Sequence, residues 1–208
     1  MVGSVIFIPT GTFAYWQGWA FIAVFTASTV IIGLYLAIKD PALLERRIKA
    51  GPAAETRPAQ KAIISLAFLS FFALALVSVL DHRFGWSHVP AWVSVLGNIL
   101  VALGLMIDLR VFRENSYGAS TIETMEGQTV VSTGPYAVVR HPMYVGVVIL
   151  VLGTPLALGS FWGLLFMLIN IPILMARILD EEKLLHSELD GYIAYAQDVR
   201  YRLLPGVW

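Results

Sequence analysis

No charged residue precedes Lys39, and the stretches 62–80, 91–107 and 143–176 are equally free of charge. A helix needs about 20 apolar residues to cross a bilayer. Uncharged runs of this length, separated by polar loops, restrict the chain to a bundle of membrane-crossing helices. Composition agrees: 58% of residues are hydrophobic, 13% are charged, and the mean hydropathy is +0.75. Soluble domains carry about 25% charged residues. The formal net charge is zero, which gives a nucleic-acid partner no electrostatic support. The chain has no cysteine, which excludes a disulfide framework, a zinc-cysteine site and a cysteine nucleophile.

Met1–Ile8 is too short to cross, and Pro9-Thr10-Gly11-Thr12 breaks the first uncharged run. The first span is expected at about 15–38, anchored by Trp16 and Trp19. A cleaved signal peptide is not expected, because no basic residue leads this segment. Further spans are expected at 62–80 and from 91 to a little beyond 107. The uncharged run 143–176 would make roughly 50 Å of helix, against about 30 Å of hydrocarbon. Gly153-Thr154-Pro155 and Gly159-Ser160 near its middle point to a tight hairpin of two shortish helices. The expected fold is all-α and polytopic, with about five transmembrane helices. With five spans, 13 of the 14 Lys and Arg residues fall on one side. The positive-inside rule makes that side cytoplasmic, with the N-terminus outside and the C-terminus inside.

From about Asp180 the chain turns polar. Leu185, Leu189, Tyr192, Ala196 and Val199 recur at helical spacing, opposite Glu182, Lys183 and Asp190. This pattern predicts one amphipathic C-terminal helix against the cytoplasmic face, with Arg200, Tyr201, Arg202 and Trp208 at headgroup level. Asn98 and Asn170 read as interhelical hydrogen-bond formers. Gly159 and Gly163 read as a turn with close packing. The chain reads as one membrane domain, 1–208, in which 1–94 carries no usable motif and 95–208 is the core.

Two polar clusters stand out, Gln128–Gly146 and Arg177–Glu182. The hairpin brings them together at the cytoplasmic end. Pro142 suits the first turn of a helix, whose free N–H groups favour negative charge. Arg177 and Glu181 are four apart and share a helix face. Ionisable groups at the end of an apolar run usually face a partner or a cavity. Taken singly, His141 reads as a loop residue, Arg140 as a headgroup anchor, and Tyr136 and Tyr144 as interfacial aromatics. Glu182 and His186 have the spacing of a metal-ligand pair, but no third ligand is evident, and no metal is expected.

Together, Gly134-Pro135-Tyr136-x3-Arg140-His141-Pro142-x-Tyr144-x-Gly146 and Arg177-x3-Glu181-Glu182 resemble the isoprenylcysteine carboxyl methyltransferase family, to which phospholipid N-methyltransferases are related. The resemblance covers about 95–205. It implies an integral membrane methyltransferase using S-adenosylmethionine, with S-adenosylhomocysteine as product. It implies a cofactor site of Gln128, Thr129, Val130, Val131, Tyr136, His141, Pro142, Met143, Tyr144 and Glu181, the stretch 128–131 being strand-like. Arg177 matches the position beside the substrate, with Arg140 a further substrate-binding candidate. Where the family often has Tyr-x2-Tyr, Leu189-Asp190-Gly191-Tyr192 stands here.

A carboxylate such as Glu181 suits the cofactor's ammonium, and a tyrosine ring suits its sulfonium. A carboxylate nucleophile needs no base, and Arg177 would orient it as a catalytic group. An amine or hydroxyl needs one, with Glu182 or His141 as candidates. The acceptor is expected to be lipophilic, either the carboxylate of an isoprenylated cysteine or another lipid or small molecule, arriving sideways from the bilayer. The loop 113–135 is expected to close over the cofactor. The competing readings are a membrane reductase of the sterol-reductase type with a nicotinamide cofactor, and a non-catalytic membrane scaffold.

Overall fold

The computed structural model describes residues 2–118, 120–122, 124, 125 and 127–208, and no strand occurs among them. The helices are α1 (Val2–Thr10), α2 (Trp16–Lys39), α3 (Pro41–Ile48), α4 (Pro58–Phe84), α5 (Ala91–Glu114), α6 (Pro142–Ala157), α7 (Met167–Glu188) and α8 (Tyr192–Asp198). Single 3₁₀ turns lie at Gly134–Ala137 and Trp162–Phe166. Four helical runs, including Trp162–Glu188, are long and apolar enough to cross a membrane, and α6 is a fifth, shorter apolar helix. Their outward faces expose large apolar side chains such as Leu66, Leu69, Ile99 and Leu168. The chain is a polytopic integral membrane protein.

Small residues set the closest packing. A Cβ on Gly97 would overlap the backbone nitrogen of Ala157. One on Gly104 would lie 2.6 Å from the carbonyl of Gly146, and one on Gly153 would lie 2.8 Å from that of Gly97. These four glycines repeat at seven-residue spacing on α5 and α6, and they let the two backbones touch. Gly163 packs likewise against Ser78 of α4 and Pro155. Asn170 donates to Ser70 at 2.9 Å and joins α7 to α4 as expected. Asn98 does not bridge helices. Its amide donates to Ser94 O within α5, and its buried Oδ1 has no hydrogen-bond partner among the described residues.

The end of the bundle away from the polar loops is fastened by Asp81. Fully buried, it accepts from Ser87 N (2.7 Å), Ser87 Oγ (2.5 Å) and Ser160 Oγ (2.6 Å). Tyr15 adds a hydrogen bond to Leu158 O at 2.5 Å. These contacts tie the α6–α7 turn to α4 and to the segment before α2.

The C-terminal region departs from the single amphipathic helix. α7 ends at Glu188, and Gly191 (φ 83°) turns the chain into α8. A left-handed backbone is easy for glycine and breaks a helix. Leu185, Leu189, Ala196 and Val199 remain half-buried and Tyr192 is buried, but they are spread over α7, α8 and the residues that end each of them. Glu182, assigned to the charged outer side, is only 4% exposed. Its interior partners are cationic, and helical periodicity cannot register partners distant in sequence.

Overpacking a helix interface costs about 1–3 kcal/mol. Gly97→Ala is therefore expected to lower thermal stability in detergent. Gly33→Ala, with open space around its Cβ, should match the wild type or exceed it slightly.

Candidate active site

A cleft opens at the polar-loop end, where the start of α6, the last turns of α7, α8 and the loop after α5 converge. It encloses about 890 Å³ between its walls, including space open to solvent. Gln128, Thr129, Val130, Val131, Tyr136, His141, Pro142, Met143, Tyr144 and Glu181 all line it, together with Arg140 and Arg177. Residues 128–131 are irregular loop and not strand-like, because no neighbouring chain pairs with them. Asn115, Tyr117, Gly118, Thr121 and Ile122 complete the loop wall. The expected closing segment 113–135 thus borders the cleft, though residues 119, 123 and 126 fall outside those described.

At the floor, Arg177 Nε donates to the Tyr144 hydroxyl at 3.1 Å, which donates to Glu181 Oε2 at 2.6 Å. Pro142 occupies the first turn of α6, and Tyr144 stands within that turn. Arg177 and Glu181 lie one turn apart on α7, so one hydroxyl reaches both. The Glu181 side chain stays 24% exposed at the cleft wall. Burial pushes the Tyr136 hydroxyl up to about 12, so this ring stays neutral, and it accepts from Asn115 at 3.0 Å.

Glu182 points the other way and does not line the cleft. Successive helical residues are about 100° apart, so this acidic pair divides between cleft and interior. Glu182 accepts from Arg140 Nε (2.8 Å) and Arg202 Nε (2.8 Å), and His141 Nε2 lies 3.3 Å away. Arg140 also donates to the carbonyls of Ala196, Val199 and Arg200 at the end of α8. That is where a cation complements the helix dipole. The backbone N–H groups of Arg140 and His141 donate to Tyr201 O and Arg202 O. The C-terminal segment therefore runs beside the His-Pro turn. Arg140 and Glu182, the substrate-binding and catalytic candidates, are placed in mutual structural pairing.

Arg177 is similarly engaged. Besides Tyr144, it donates to Glu55 Oε1 (3.0 Å), Gln60 Oε1 (2.8 Å) and Ser120 O (2.9 Å). Glu55 and Gln60 come from the segment after α3 and the start of α4, a region that carries no sequence motif. Nearby, Arg47 of α3 stacks over Phe112 at 4.3 Å and donates to Gly118 O. Tyr195 also escapes the sequence reading, although Tyr192-x2-Tyr195 has the Tyr-x2-Tyr spacing. Both rings line the cleft, and the buried Tyr192 hydroxyl has no hydrogen-bond partner among the described residues.

Arg177 also ends a second, apolar groove. That groove is lined by Ala67 of α4, Val147, Val148 and Val151 of α6, and Ile171 and Leu174 of α7. One residue thus lines both a polar cleft and an apolar groove.

Residues 92–189 match the family model described as phospholipid methyltransferase. That family is related to the isoprenylcysteine carboxyl methyltransferases that the sequence motifs resemble. It runs from the start of α5 to the end of α7 and holds Tyr144, Arg177, Glu181 and Glu182. No curated protein matches the chain. The family points to a membrane methyltransferase.

Removing one member of a buried ion pair costs about 3–5 kcal/mol, because its partners stay buried and uncompensated. Glu182→Ala is expected to destabilise the protein on that scale in denaturant unfolding. Glu181→Ala, partly exposed, should cost about 1 kcal/mol or less.

Proposed function

We propose that the protein transfers a methyl group from S-adenosylmethionine to the head of a lipid whose chain lies in the apolar groove. The observation that carries this reading is the meeting of cleft and groove at Arg177, beside the Tyr144–Glu181 pair. The residues present suit the cofactor. Glu181 offers a carboxylate to an ammonium, Tyr192 offers an unpartnered buried hydroxyl, and Tyr136 and Tyr144 offer ring faces to a cation. Backbone groups of 128–131 and the His141–Tyr144 turn would hold the adenosine. When bound, S-adenosylmethionine supplies an electrophilic methyl group on a sulfonium.

The chain's own part is alignment and exclusion of water. Tyr144 is fixed by Arg177 on one side and Glu181 on the other, so its position on the cleft floor is set before any ligand arrives. Of the two acceptor classes expected, a carboxylate needs a parallel pair of N–H groups for bidentate binding. Arg177 has Nε and both Nη1 protons engaged, and no such pair remains. This favours a lipid other than an isoprenylated cysteine carboxylate, and the name of the matching family gives such a lipid. An amine head releases a proton, and His141 is the candidate for taking it. With Nε2–H directed at Glu182, its Nδ1 is the acceptor. Glu182, enclosed by Arg140, Arg202 and His141, acts as a positioning residue. The distribution of basic residues supports a cleft on the cytoplasmic side.

The test is calorimetric titration of S-adenosylhomocysteine into detergent-purified protein and into Glu181→Gln. Saturable binding by the wild type is expected, weakened about 10- to 100-fold in the variant, since a hydrogen bond to a charged group is worth about 1.5–3 kcal/mol. Folded wild-type protein that binds a nicotinamide dinucleotide and no S-adenosylhomocysteine would replace this reading with the reductase.

A further inference from the structure

We propose that Glu55 determines which acceptors this site admits: by neutralising Arg177 it excludes lipids with an anionic reacting head. The inference rests on the methyltransferase reading for the word acceptor, but its physical content is independent of it.

Glu55 lies in the segment between α3 and α4, outside the matched region, and its side chain is 1% exposed. Its Oε1 is 3.0 Å from Arg177 Nη1, and its Oε2 accepts from Ile122 N at 3.4 Å. Gln60, fully buried, takes the second Nη1 proton. Gln60 is itself held by Asp180 at 2.5 Å, and Asp180 pairs with Arg57 at 3.1 Å. The guanidinium is thus clamped at the junction of cleft and groove. Besides Glu55, the charged or titratable groups acting on Arg177 are Tyr144, Glu181 and Arg47. Arg47 already sits among Gly118 O, Met143 Sδ and the Phe112 ring. Against Arg177 stand two carboxylates, Glu55 and Glu181. An anionic head entering the junction has no uncompensated cation at Arg177 and faces a carboxylate on either side of it. A neutral head avoids that repulsion.

Replacing Glu55 with glutamine keeps its size and its oxygen toward Arg177 while removing the charge. The experiment measures retention of radiolabelled oleate and of methyl oleate by the full-length protein immobilised in nanodiscs, with S-adenosylhomocysteine affinity measured alongside. Glu55→Gln should tighten oleate binding at least tenfold and leave methyl oleate and S-adenosylhomocysteine within twofold. Adding Arg177→Gln should abolish the gain. Unchanged or weaker oleate binding in Glu55→Gln, with methyl oleate retained, would overturn the proposal. If Glu55→Gln does not fold, Arg177→Gln alone decides. The uncompensated Glu55 should then weaken oleate at least fivefold relative to methyl oleate, and equal loss of both lipids would overturn it. Absence of S-adenosylhomocysteine binding in folded wild type would remove the methyltransferase reading, yet the comparison of the two lipids would still decide the role of Glu55.

Discussion

The carboxylate of Glu182 organises the polar end of the molecule. Buried in the last turns of α7, it draws in Arg140 and His141 from the start of α6 and Arg202 from the C-terminal segment. Arg140 in turn caps α8. One side chain thus ties the start of α6 and the C-terminal segment to α7, and a buried charge so enclosed tolerates little rearrangement. Because Glu182 is anchored inward, Glu181 is held outward at the cleft wall, where it meets Tyr144. The rigidity of the cleft floor is borrowed from the interior.

A second clamp, centred on Arg177, joins the two halves of the chain. Its partners Glu55 and Gln60 lie before the matched region, and Tyr144 lies within it. The segment between α3 and α4 and the start of α4 are therefore part of the site's construction, although they carry no motif. They supply the negative charge that balances the cation at the inner end of the apolar groove.

The spans were legible because bilayer thickness imposes a length on uncharged segments, and α2, α4 and α5 each contain one of the uncharged stretches. The hairpin of α6 and α7 came from a run too long for one crossing. The polar clusters met in the cleft because the hairpin returns Arg177 to the level of Pro142. What stayed hidden was set by pairing across long separations. Glu55 and Arg177 are 122 positions apart, and no local pattern links them. Arg202 reads as a surface cation until its partner is seen. Glu182 reads as solvated from periodicity, since periodicity counts apolar neighbours and is blind to ionic ones. The glycines of α5 and α6 stand at regular seven-residue spacing, but only the shorter Gly159–Gly163 interval matches the familiar four-residue packing pattern.

The shortness of the α6–α7 hairpin sets a depth. Asp81 and Ser160 mark its far end. Tyr144 lies 13 residues back from Ala157, and Arg177 lies 15 residues on from Trp162. At about 1.5 Å per residue, both are about 20–22 Å from that end, whereas the hydrocarbon slab is about 30 Å thick. A hairpin whose far end stood at one edge of such a slab would hold both side chains short of the opposite edge. On the proposed function, a lipid head that reaches Tyr144 would shed water on the way, because that hydroxyl is reached along helix walls and not across an open loop surface.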